Sequence, residues 1–517
     1  MHVVIAGGGV AGLEAMLALA ALAEGQVEVE LICPSEEFVY RPMLVAEPFG
    51  SSELLTIPLR QLVGEAGASH RRDSLVSVDP AGRTVTTAAG EEIAYDALLV
   101  ALGASPIEAV AGALTFSGAE ERKRFAELLG RLGRRGLRRL AFVVPRAATW
   151  SIAAYELALL TAAERDARRL PEVEITLVTH EEAPLDLFGS SAARLVADRL
   201  GQAGIALEPS SRAERFEDGL LHRSGASPLP FDAAVSLPAL EVGPLPGLPQ
   251  RRNGFLQTDT GMNVAGLQSV WAAGDATWFP VKQGGLAAQQ ADVAARAIAA
   301  RAGVHAPLQP FQPVLRAALI TGDSPEFLRS PLGGRGADAA AAGRALWWPP
   351  TKLAGRYLGP RIAHALGEES GEELVDLDPA AAPAADEAKH RRAVSLLLAT
   401  ADGDARIGDF EGALKWLSLV EQLNLVIPPE YVARRHQWRQ QRGRGADAPP
   451  NAAAERIDPS FASAAAALSD LQRRLGWMRE IEHRNEGEMR EHLDGLDADM
   501  DHLLALSRRS GALRAGR

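Results

Sequence analysis

The residues best suited to chemistry stand near the start of the sequence, in the glycine-rich run Gly7-Gly8-Gly9-Val10-Ala11-Gly12. In a strand–turn–helix unit the first glycine permits a tight turn, a middle one leaves room for a pyrophosphate, and the last lets helix and strand pack closely. Amides at the helix N-terminus carry partial positive charge and attract phosphate. The spacing predicts dinucleotide binding through Gly7, Gly9, Val10, Ala11 and Gly12. A glycine turn in an ordinary α/β domain is the alternative.

A βαβ unit must position this run. The apolar segment His2–Ala6 predicts a buried strand, Leu13–Ala23 an alanine-rich helix, and Val27–Ile32 a second strand. In such units an acidic residue commonly ends the second strand and holds the ribose hydroxyls. Cys33-Pro34-Ser35 stands at that place here, and Glu36, just beyond it, is the predicted substitute.

Length and composition narrow the function classes. With 517 residues, 47% of them hydrophobic and 23% charged, the chain fits a globular protein of about three domains. A net charge of −12 argues against a nucleic-acid partner. The single cysteine, Cys33, excludes an intramolecular disulfide and a cysteine zinc site, and it is interpreted as a small buried apolar residue. Histidine spacing suggests no metal site. We expect a cytoplasmic protein without signal peptide or membrane span, and contact with a membrane surface stays open.

A second strand–turn–helix unit begins at Arg139, and its second strand is predicted at Val173–Thr179. Its turn lacks glycines and reads Pro145-Arg146-Ala147-Ala148-Thr149-Trp150-Ser151. Side chains therefore occupy places where a pyrophosphate needs bare backbone, and Trp150 is the bulkiest of them. We expect this unit to keep the fold and to bind NAD(P)H poorly or not at all.

Further along, Val270–Asp275 predicts a strand that ends in Gly-Asp, and Leu286–Ala300 predicts a helix with glycines at its N-terminus. That helix is a second candidate for a dipole aimed at an anion. The segment from Leu346 to Leu358 holds two tryptophans. It is interpreted as a patch packed on the core or at a dimer interface, or else as a membrane-facing or quinone-facing surface.

The last part of the sequence predicts helices that pair. Pro379–Glu387 and about residues 442–454 are linkers, His390–Ala401 and Phe410–Leu423 form a helical pair, and residues from Ser463 onward carry an apolar stripe. Such stripes suit pairing within one chain or between chains. A homo-oligomer and a protein partner at these helices are therefore expected.

The order of the motifs resembles a known family. Gly7–Gly12, Ala101-Leu102-Gly103-Ala104, a second βαβ insertion and Ala272-Ala273-Gly274-Asp275 follow one another as in flavoproteins with two dinucleotide-binding domains, the pyridine nucleotide-disulfide oxidoreductase-like proteins. The sequence looks most like their branch of sulfide:quinone oxidoreductase, flavocytochrome c and type II NADH:quinone dehydrogenase. The resemblance covers about residues 1–360.

The resemblance implies an α/β fold with two Rossmann-like dinucleotide-binding domains and a C-terminal helical extension. The FAD-binding domain is expected to be discontinuous, at residues 1–112 and 240–305, and the second domain to lie at 113–239. A capping or interface segment is expected at 306–375, followed by the helical extension at 376–517.

FAD is the cofactor that the resemblance implies, and each motif takes a part of it. The first motif would hold the pyrophosphate, the backbone of Val76 the adenine, and Asp275 the ribityl and phosphate region. Arg41-Pro42 would pass the isoalloxazine, and the helix after Asp275 would point at the flavin N1/O2 edge. The implied cofactor residues are Gly7, Gly9, Val10, Ala11, Gly12, Glu36, Arg41, Pro42, Val76, Ala101, Gly103, Gly274, Asp275, Lys282, Gln283 and Gly284. Lys282 is the implied catalytic residue, a charge near the reducible edge of the flavin; a solvated loop lysine is the alternative.

Two departures from the family pattern shape the functional hypotheses. Sulfide oxidation in the family uses a pair of cysteines beside the flavin, and NADH oxidation uses a glycine-rich second motif; this sequence has neither. The first hypothesis is an FAD-dependent oxidoreductase of the sulfide:quinone oxidoreductase-like branch, with a small-molecule or quinone substrate and a quinone or protein acceptor. The second is an NAD(P)H:quinone dehydrogenase with an unorthodox second motif. The third is a flavin-bound scaffold or redox-sensing interaction protein.

Overall fold

A computed structural model describes residues 1–50, 54–133, 137–251, 253–322, 324–332, 340–367 and 374–377, and single positions between 398 and 438. The chain forms two units, Met1–Leu377 and Asp378–Arg517. In the second unit the described positions are helical, among them Leu398 and Ala401, and Phe410, Ala413 and Trp416. Both predicted linkers and the helices predicted from Ser463 onward lie outside the described residues.

The strands of the first unit are, in chain order, β1 His2–Ala6, β2 Glu28–Ile32, β3 Glu37–Val39, β4 Thr56–Pro58, β5 Ser69–Arg71, β6 Leu75–Asp79, β7 Thr84–Thr87, β8 Glu92–Ala94, β9 Ala97–Val100, β10 Ser105–Ile107, β11 Leu114–Thr115, β12 Arg139–Val144, β13 Glu174–Thr179, β14 Ile205–Glu208, β15 Ala213–Glu217, β16 Leu220–Arg223, β17 Ala226–Pro230, β18 Ala233–Ser236, β19 Ala239–Glu241, β20 Val270–Ala272, β21 Val314–Leu319, β22 Glu326–Pro331, β23 Ala340–Ala342, β24 Trp347–Trp348 and β25 Val375–Asp376. Its α-helices are α1 Val10–Leu22, α2 Leu59–Glu65, α3 Ala119–Gly130, α4 Ile152–Ala167, α5 Ser190–Gln202, α6 Gly284–Arg301 and α7 Leu358–Ala365.

The first sheet is parallel and has the order β20-β9-β1-β2-β5. Its central strand is apolar throughout because both faces are covered. Val3 and Ile5 pack with helices α1 and α6, whereas Val4 and Ala6 pack against the three-stranded meander β6-β7-β8. The carboxyl ends of these strands meet at one edge, where ligands bind in such sheets.

The second sheet repeats this layout. It is parallel, with the order β11-β18-β12-β13-β14, and it packs on α3, α4 and α5 on one face and on the meander β15-β16-β17 on the other. The antiparallel strands β10 and β19 link the two sheets. The described residues therefore confirm the α/β fold class with two Rossmann-like units.

A three-stranded antiparallel sheet, β21-β22-β23, follows. Trp347 is fully buried beside it; its ring meets that of Phe327 edge-on at 5.2 Å, and its Nε1 donates a hydrogen bond to the carbonyl of Thr351 at 3.0 Å. Trp348 is half-buried and Tyr357 is buried. Trp347 thus belongs to the core. Its burial favours the interpretation that this segment is packed over the one in which it faces a membrane or a quinone.

Two buried carboxylates fasten the segment before α7 to both Rossmann-like units. Glu14 of α1 accepts hydrogen bonds from the amides of Tyr357 and Leu358 at 2.9 and 2.8 Å. Glu156 of α4 accepts from Lys352 Nζ at 2.7 and 2.8 Å and from the amide of Ile320 at 3.0 Å. Burial raises the pKa of Glu14 to about 7 and raises the pKa of Glu156, which the charge of Lys352 lowers in turn.

The Lys352→Met variant is expected to lose about 3 kcal/mol of unfolding free energy at neutral pH, because a buried carboxylate is left without its counter-ion. Since the raised pKa of Glu156 then favours the protonated carboxyl in the folded state, the deficit should shrink as pH falls from neutral toward the ordinary carboxyl range. Urea unfolding across this pH range measures it. The double variant Glu156→Gln/Lys352→Met is the control, and an equal deficit in the double variant would contradict the explanation.

Candidate functional site

The glycine run connects β1 to α1, and its glycines differ in what surrounds them. Gly7 has φ +117°, and a Cβ there would lie 2.2 Å from the carbonyl oxygen of Ala101. A Cβ on Gly12 would lie 1.8 Å from the carbonyl oxygen of Gly7. A Cβ on Gly9 would meet nothing within 4 Å. The fold itself therefore requires Gly7 and Gly12, whereas space is left open at Gly9.

Helix α1 begins at Val10, earlier than the predicted Leu13, so Val10, Ala11 and Gly12 form its first turn. That turn has no acidic side chain, and the residue before it, Gly9, makes no side-chain cap. The partial positive charge of the first-turn amides is therefore not offset by a local carboxylate. Beside this turn, Ala101 follows β9 and donates its amide to the carbonyl of Ala6 at 2.8 Å. Gly103 has φ +74°, and a Cβ there would also meet nothing within 4 Å.

The Gly-Asp pair lies against the same turn. Gly274 follows β20 with φ +77°, and a Cβ there would lie 3.1 Å from the Cβ of Ala11. Asp275 is half-buried; burial raises its pKa, and the positive charges of Lys282 and Arg41 lower it. Asp275 is thus within electrostatic reach of Lys282, seven positions along the chain, and of Arg41, which is distant in the sequence.

Lys282 is buried, with 8% of its surface exposed. Its ammonium donates a hydrogen bond to the carbonyl of Thr277 and lies 4.4 Å from the ring centroid of Phe255. Burial lowers its pKa to about 8, and Asp275 raises it. A desolvated ammonium in this setting is an electrostatic group rather than a solvated loop lysine.

Gln283 and Gly284 begin α6. The side chain of Gln283 accepts a hydrogen bond from the amide of Leu286 and donates one to the carbonyl of Arg316, both at 2.9 Å. Gln283 therefore caps the helix and fixes its N-terminus to β21. A Cβ on Gly284 would lie 3.2 Å from Leu353 and 3.9 Å from Val10. Arg41 and Pro42 form a single 3₁₀ turn, in which Arg41 is exposed and Pro42 is half-buried.

Two of the predicted cofactor residues, Glu36 and Val76, are exposed, unlike the buried Lys282. Glu36 is exposed and forms an ion pair with Arg72. Val76, on the first strand of the meander, is 46% exposed. No contact in the described structure joins either residue to the group around Lys282, and their assignment to the cofactor stays a prediction.

The second unit closes the equivalent places with its own side chains. Residues 145–151 connect β12 to α4, and Trp150 packs edge-on against Phe188 at 5.8 Å. Glu181 lies just after β13, where dinucleotide-binding folds place the acid that holds a ribose. It is 8% exposed and accepts hydrogen bonds from Tyr155 Oη at 2.6 Å and Thr179 Oγ1 at 2.8 Å. Sequence reasoning missed Glu181; its position after a predicted strand was the available signal.

The first unit fits FAD. Open space at Gly9 and Gly103 leaves room for a pyrophosphate beside helix amides, and the buried cation Lys282 lies at the N-terminus of α6 without a hydrogen-bonded carboxylate. Among the described residues, no three or more histidine, cysteine, aspartate or glutamate side chains are grouped as a metal would need. Within the same residues, none of the helices combines the length and the apolar character needed to cross a membrane.

Comparisons with known proteins agree with this geometry. A family model described as pyridine nucleotide-disulphide oxidoreductase matches residues 1–299. A sulfide-quinone reductase of Aquifex aeolicus (strain VF5) is 32% identical over 104 residues, which are 20% of this chain and only 24% of that protein's length.

Two solved structures have the same fold. The sulfide:quinone oxidoreductase of Aquifex aeolicus aligns with a TM-score of 0.59 at 18% identity, covering 74% of this chain and 99% of that one. NDH2 from Plasmodium falciparum in complex with NADH aligns with a TM-score of 0.52 at 12% identity, covering 66% of this chain and 92% of that one. Because the family model spans more than half of the sequence, the chain belongs to the pyridine nucleotide-disulphide oxidoreductase family and is an FAD-dependent oxidoreductase.

Proposed function

We propose that this oxidoreductase belongs to the sulfide:quinone oxidoreductase-like branch and passes electrons from a small-molecule donor to a quinone or protein acceptor. The observation that carries the proposal is the Gly274-Asp275 pair, which lies against Ala11 in the first turn of α1 and whose carboxylate is within electrostatic reach of the buried Lys282. The similarity to the Aquifex aeolicus sulfide-quinone reductase supports the choice of branch.

The protein's own residues would bind and orient the cofactor. Gly9 and the amides of Val10 and Ala11 would hold the pyrophosphate, and Asp275 would accept hydrogen bonds from the ribityl region. Lys282 would place a positive charge at the N1/O2 edge, where negative charge accumulates on reduction. The flavin, when bound, supplies two-electron chemistry. Which molecules can donate or accept electrons therefore depends on which of them can approach the flavin ring.

Sulfide as the donor is not part of the proposal. Cys33 is the single cysteine and is 6% exposed after β2, so a cysteine pair within one chain does not exist. A screen of reductants against the flavin spectrum of the purified protein tests the function. Bleaching by at least one small-molecule donor and recovery on adding a soluble quinone are expected. A protein that takes up no FAD would contradict the proposal.

NADH and NADPH are expected to bleach the flavin at least about a hundredfold more slowly than the best donor in the screen. The second unit's turn, residues 145–151, has no glycine to make room for a pyrophosphate, and the carboxylate at the ribose place, Glu181, is already engaged by Tyr155 and Thr179. Stopped-flow mixing measures the rates. Rapid bleaching by either nucleotide would instead support the NAD(P)H:quinone dehydrogenase alternative. The edge-on pair Trp150 and Phe188 gives the matched variant: Trp150→Gly should not make bleaching by NADH or NADPH fast, because Glu181 stays buried.

Residues beyond Leu377 are proposed to serve partner binding or self-association rather than electron transfer. Met1–Leu377 forms a unit of its own. A chain that ends after Leu377 should keep its flavin and its turnover and should lose oligomerisation or partner binding. Light scattering with parallel assays measures both. Loss of turnover with the oligomer intact would contradict the assignment. We also propose that the protein is cytoplasmic and contacts a membrane surface through these residues. Vesicle co-sedimentation tests this contact.

A further inference from the structure

A cleft of about 970 Å³ opens beside Lys282. Its walls come from the linker strands β10 and β19, from the loops around residues 250–255 and 278–282, and from the turn of the second unit at Ala147 and Thr149. The carbonyl of Thr149 accepts a hydrogen bond from the Lys282 amide at 3.3 Å, so turn and loop are joined at this point. This volume lies within the range of small-molecule sites.

Aromatic rings form one wall of the cleft. Trp278 is 45% exposed there, and its ring meets that of the buried Phe255 edge-on at 6.0 Å. Phe279, also in the lining, is held edge-on against Phe311 at 5.3 Å. The large ring of Trp278, in contact with Phe255 and open to the cleft, favours a planar apolar ligand, because stacking removes its surface from water.

The charges of the lining favour an anion. The Arg251 guanidinium lies 4.7 Å over the Trp278 ring, and its Nε donates to Gln257 Oε1 at 3.1 Å. Within the described residues no carboxylate forms an ion pair with Arg251. Among the described residues of the lining, two side chains are cationic, Arg251 and Lys282, and one is anionic, Glu241. A guanidinium held in place in this way suits a carboxylate or a similar planar anion.

The neighbouring unit argues against a dinucleotide in the cleft. A dinucleotide would also need a phosphate-binding turn and a free ribose acid, but the turn carries Trp150 against Phe188, and Glu181 is engaged by Tyr155 and Thr179. The ligand must therefore be anchored by the cleft alone.

We propose that the cleft binds a planar aromatic molecule with one anionic group, its ring along Trp278 and its anion at Arg251. Binding in the cleft is inferred from the residues of the cleft, and only the position of the ligand beside the flavin rests on the proposed function. The proposal names the class of small molecule that exchanges electrons there.

Calorimetric titration of the FAD-loaded protein with 2-naphthoate and with the neutral, isosteric 2-naphthamide tests the proposal. Wild type should bind naphthoate about tenfold more tightly, because a charge-assisted hydrogen bond is lost with the amide. Arg251→Gln should abolish that preference and leave naphthamide binding unchanged. Trp278→Leu should weaken both ligands. Arg194→Gln, an exposed arginine on α5 outside the cleft, is the matched control and should behave as wild type.

Several results would overturn the proposal. They are no binding of naphthoate to wild type, equal affinities for the two ligands, or a preference that survives Arg251→Gln. Displacement of naphthoate by ADP-ribose would show a dinucleotide site instead. Flavin content and bleaching by dithionite are measured on the same samples. Loss of flavin marks failure of the proposed function, and intact flavin without naphthoate binding marks failure of this inference alone.

Discussion

The Gly9→Val variant is expected to fold as wild type does and to lose about a hundredfold in FAD affinity, or about 3 kcal/mol. The reason is that no atom of the described residues lies within 4 Å of a Cβ at this position, so the side chain would fill the space proposed for the pyrophosphate. Backbone angles of φ −86° and ψ −170° suit a β-branched residue. Titration of the apoprotein with FAD, followed by flavin fluorescence, measures the affinity, and urea unfolding of the apoprotein measures the fold.

Two further glycines make this prediction specific. Gly130→Val, at the end of α3, also meets open space and should change neither stability nor FAD binding. Gly12→Ala should instead destabilise the apoprotein, since its Cβ would collide with the Gly7 carbonyl. If Gly9→Val kept wild-type FAD affinity, the open space would not be a cofactor site.

The Lys282→Met variant is expected to lower the flavin midpoint potential by about 60 mV at neutral pH, equivalent to about 3 kcal/mol for two electrons. A buried positive charge beside the ring favours the more negative, reduced form, and methionine keeps the chain length without the charge. Equilibration with reference dyes measures the potential. Lys123→Met, on the exposed face of α3, is the control and should leave it unchanged.

The pH dependence of the midpoint potential tests whether the charge of Lys282 causes this difference. Because the pKa of Lys282 is about 8, its charge is present at neutral pH and is lost as pH rises through that value. The difference between wild type and Lys282→Met should therefore close on the alkaline side. Lys282→Arg should keep its charge in the alkaline range and should therefore have a higher potential there than wild type, since a guanidinium stays protonated. A pH-independent gap would assign the effect to packing instead.

The sequence predicted the parts of the fold that depend on local pattern. The apolar run His2–Ala6 and the glycines after it predicted the first strand and turn, since a strand covered on both faces must be apolar and a tight turn needs positive φ. Helix α1 begins at Val10 because Gly9 serves as its N-cap, which periodicity alone did not show. That Arg41 lies within electrostatic reach of Asp275 could not be predicted from local pattern, because their separation in sequence gives no contact information.

Other features depend on packing between distant segments. The ion pair of Glu156 and Lys352 joins residues almost 200 positions apart, and neither residue stands in a motif. The sequence favoured a packed position for Trp347 but left a surface position open, and its contact with Phe327 places it in the core. The cleft beside Lys282 is built from five separate segments, so its charge balance could be read only in three dimensions.

The most direct test of the account is the nucleotide content of the full-length protein. After reconstitution with excess FAD and NADH and removal of unbound ligand, the account predicts one FAD per chain and no retained NADH, with the FAD lost in Gly9→Val. A chain that retains no FAD after unbound ligand is removed, or that retains NADH in the second unit beside Trp150, would contradict it.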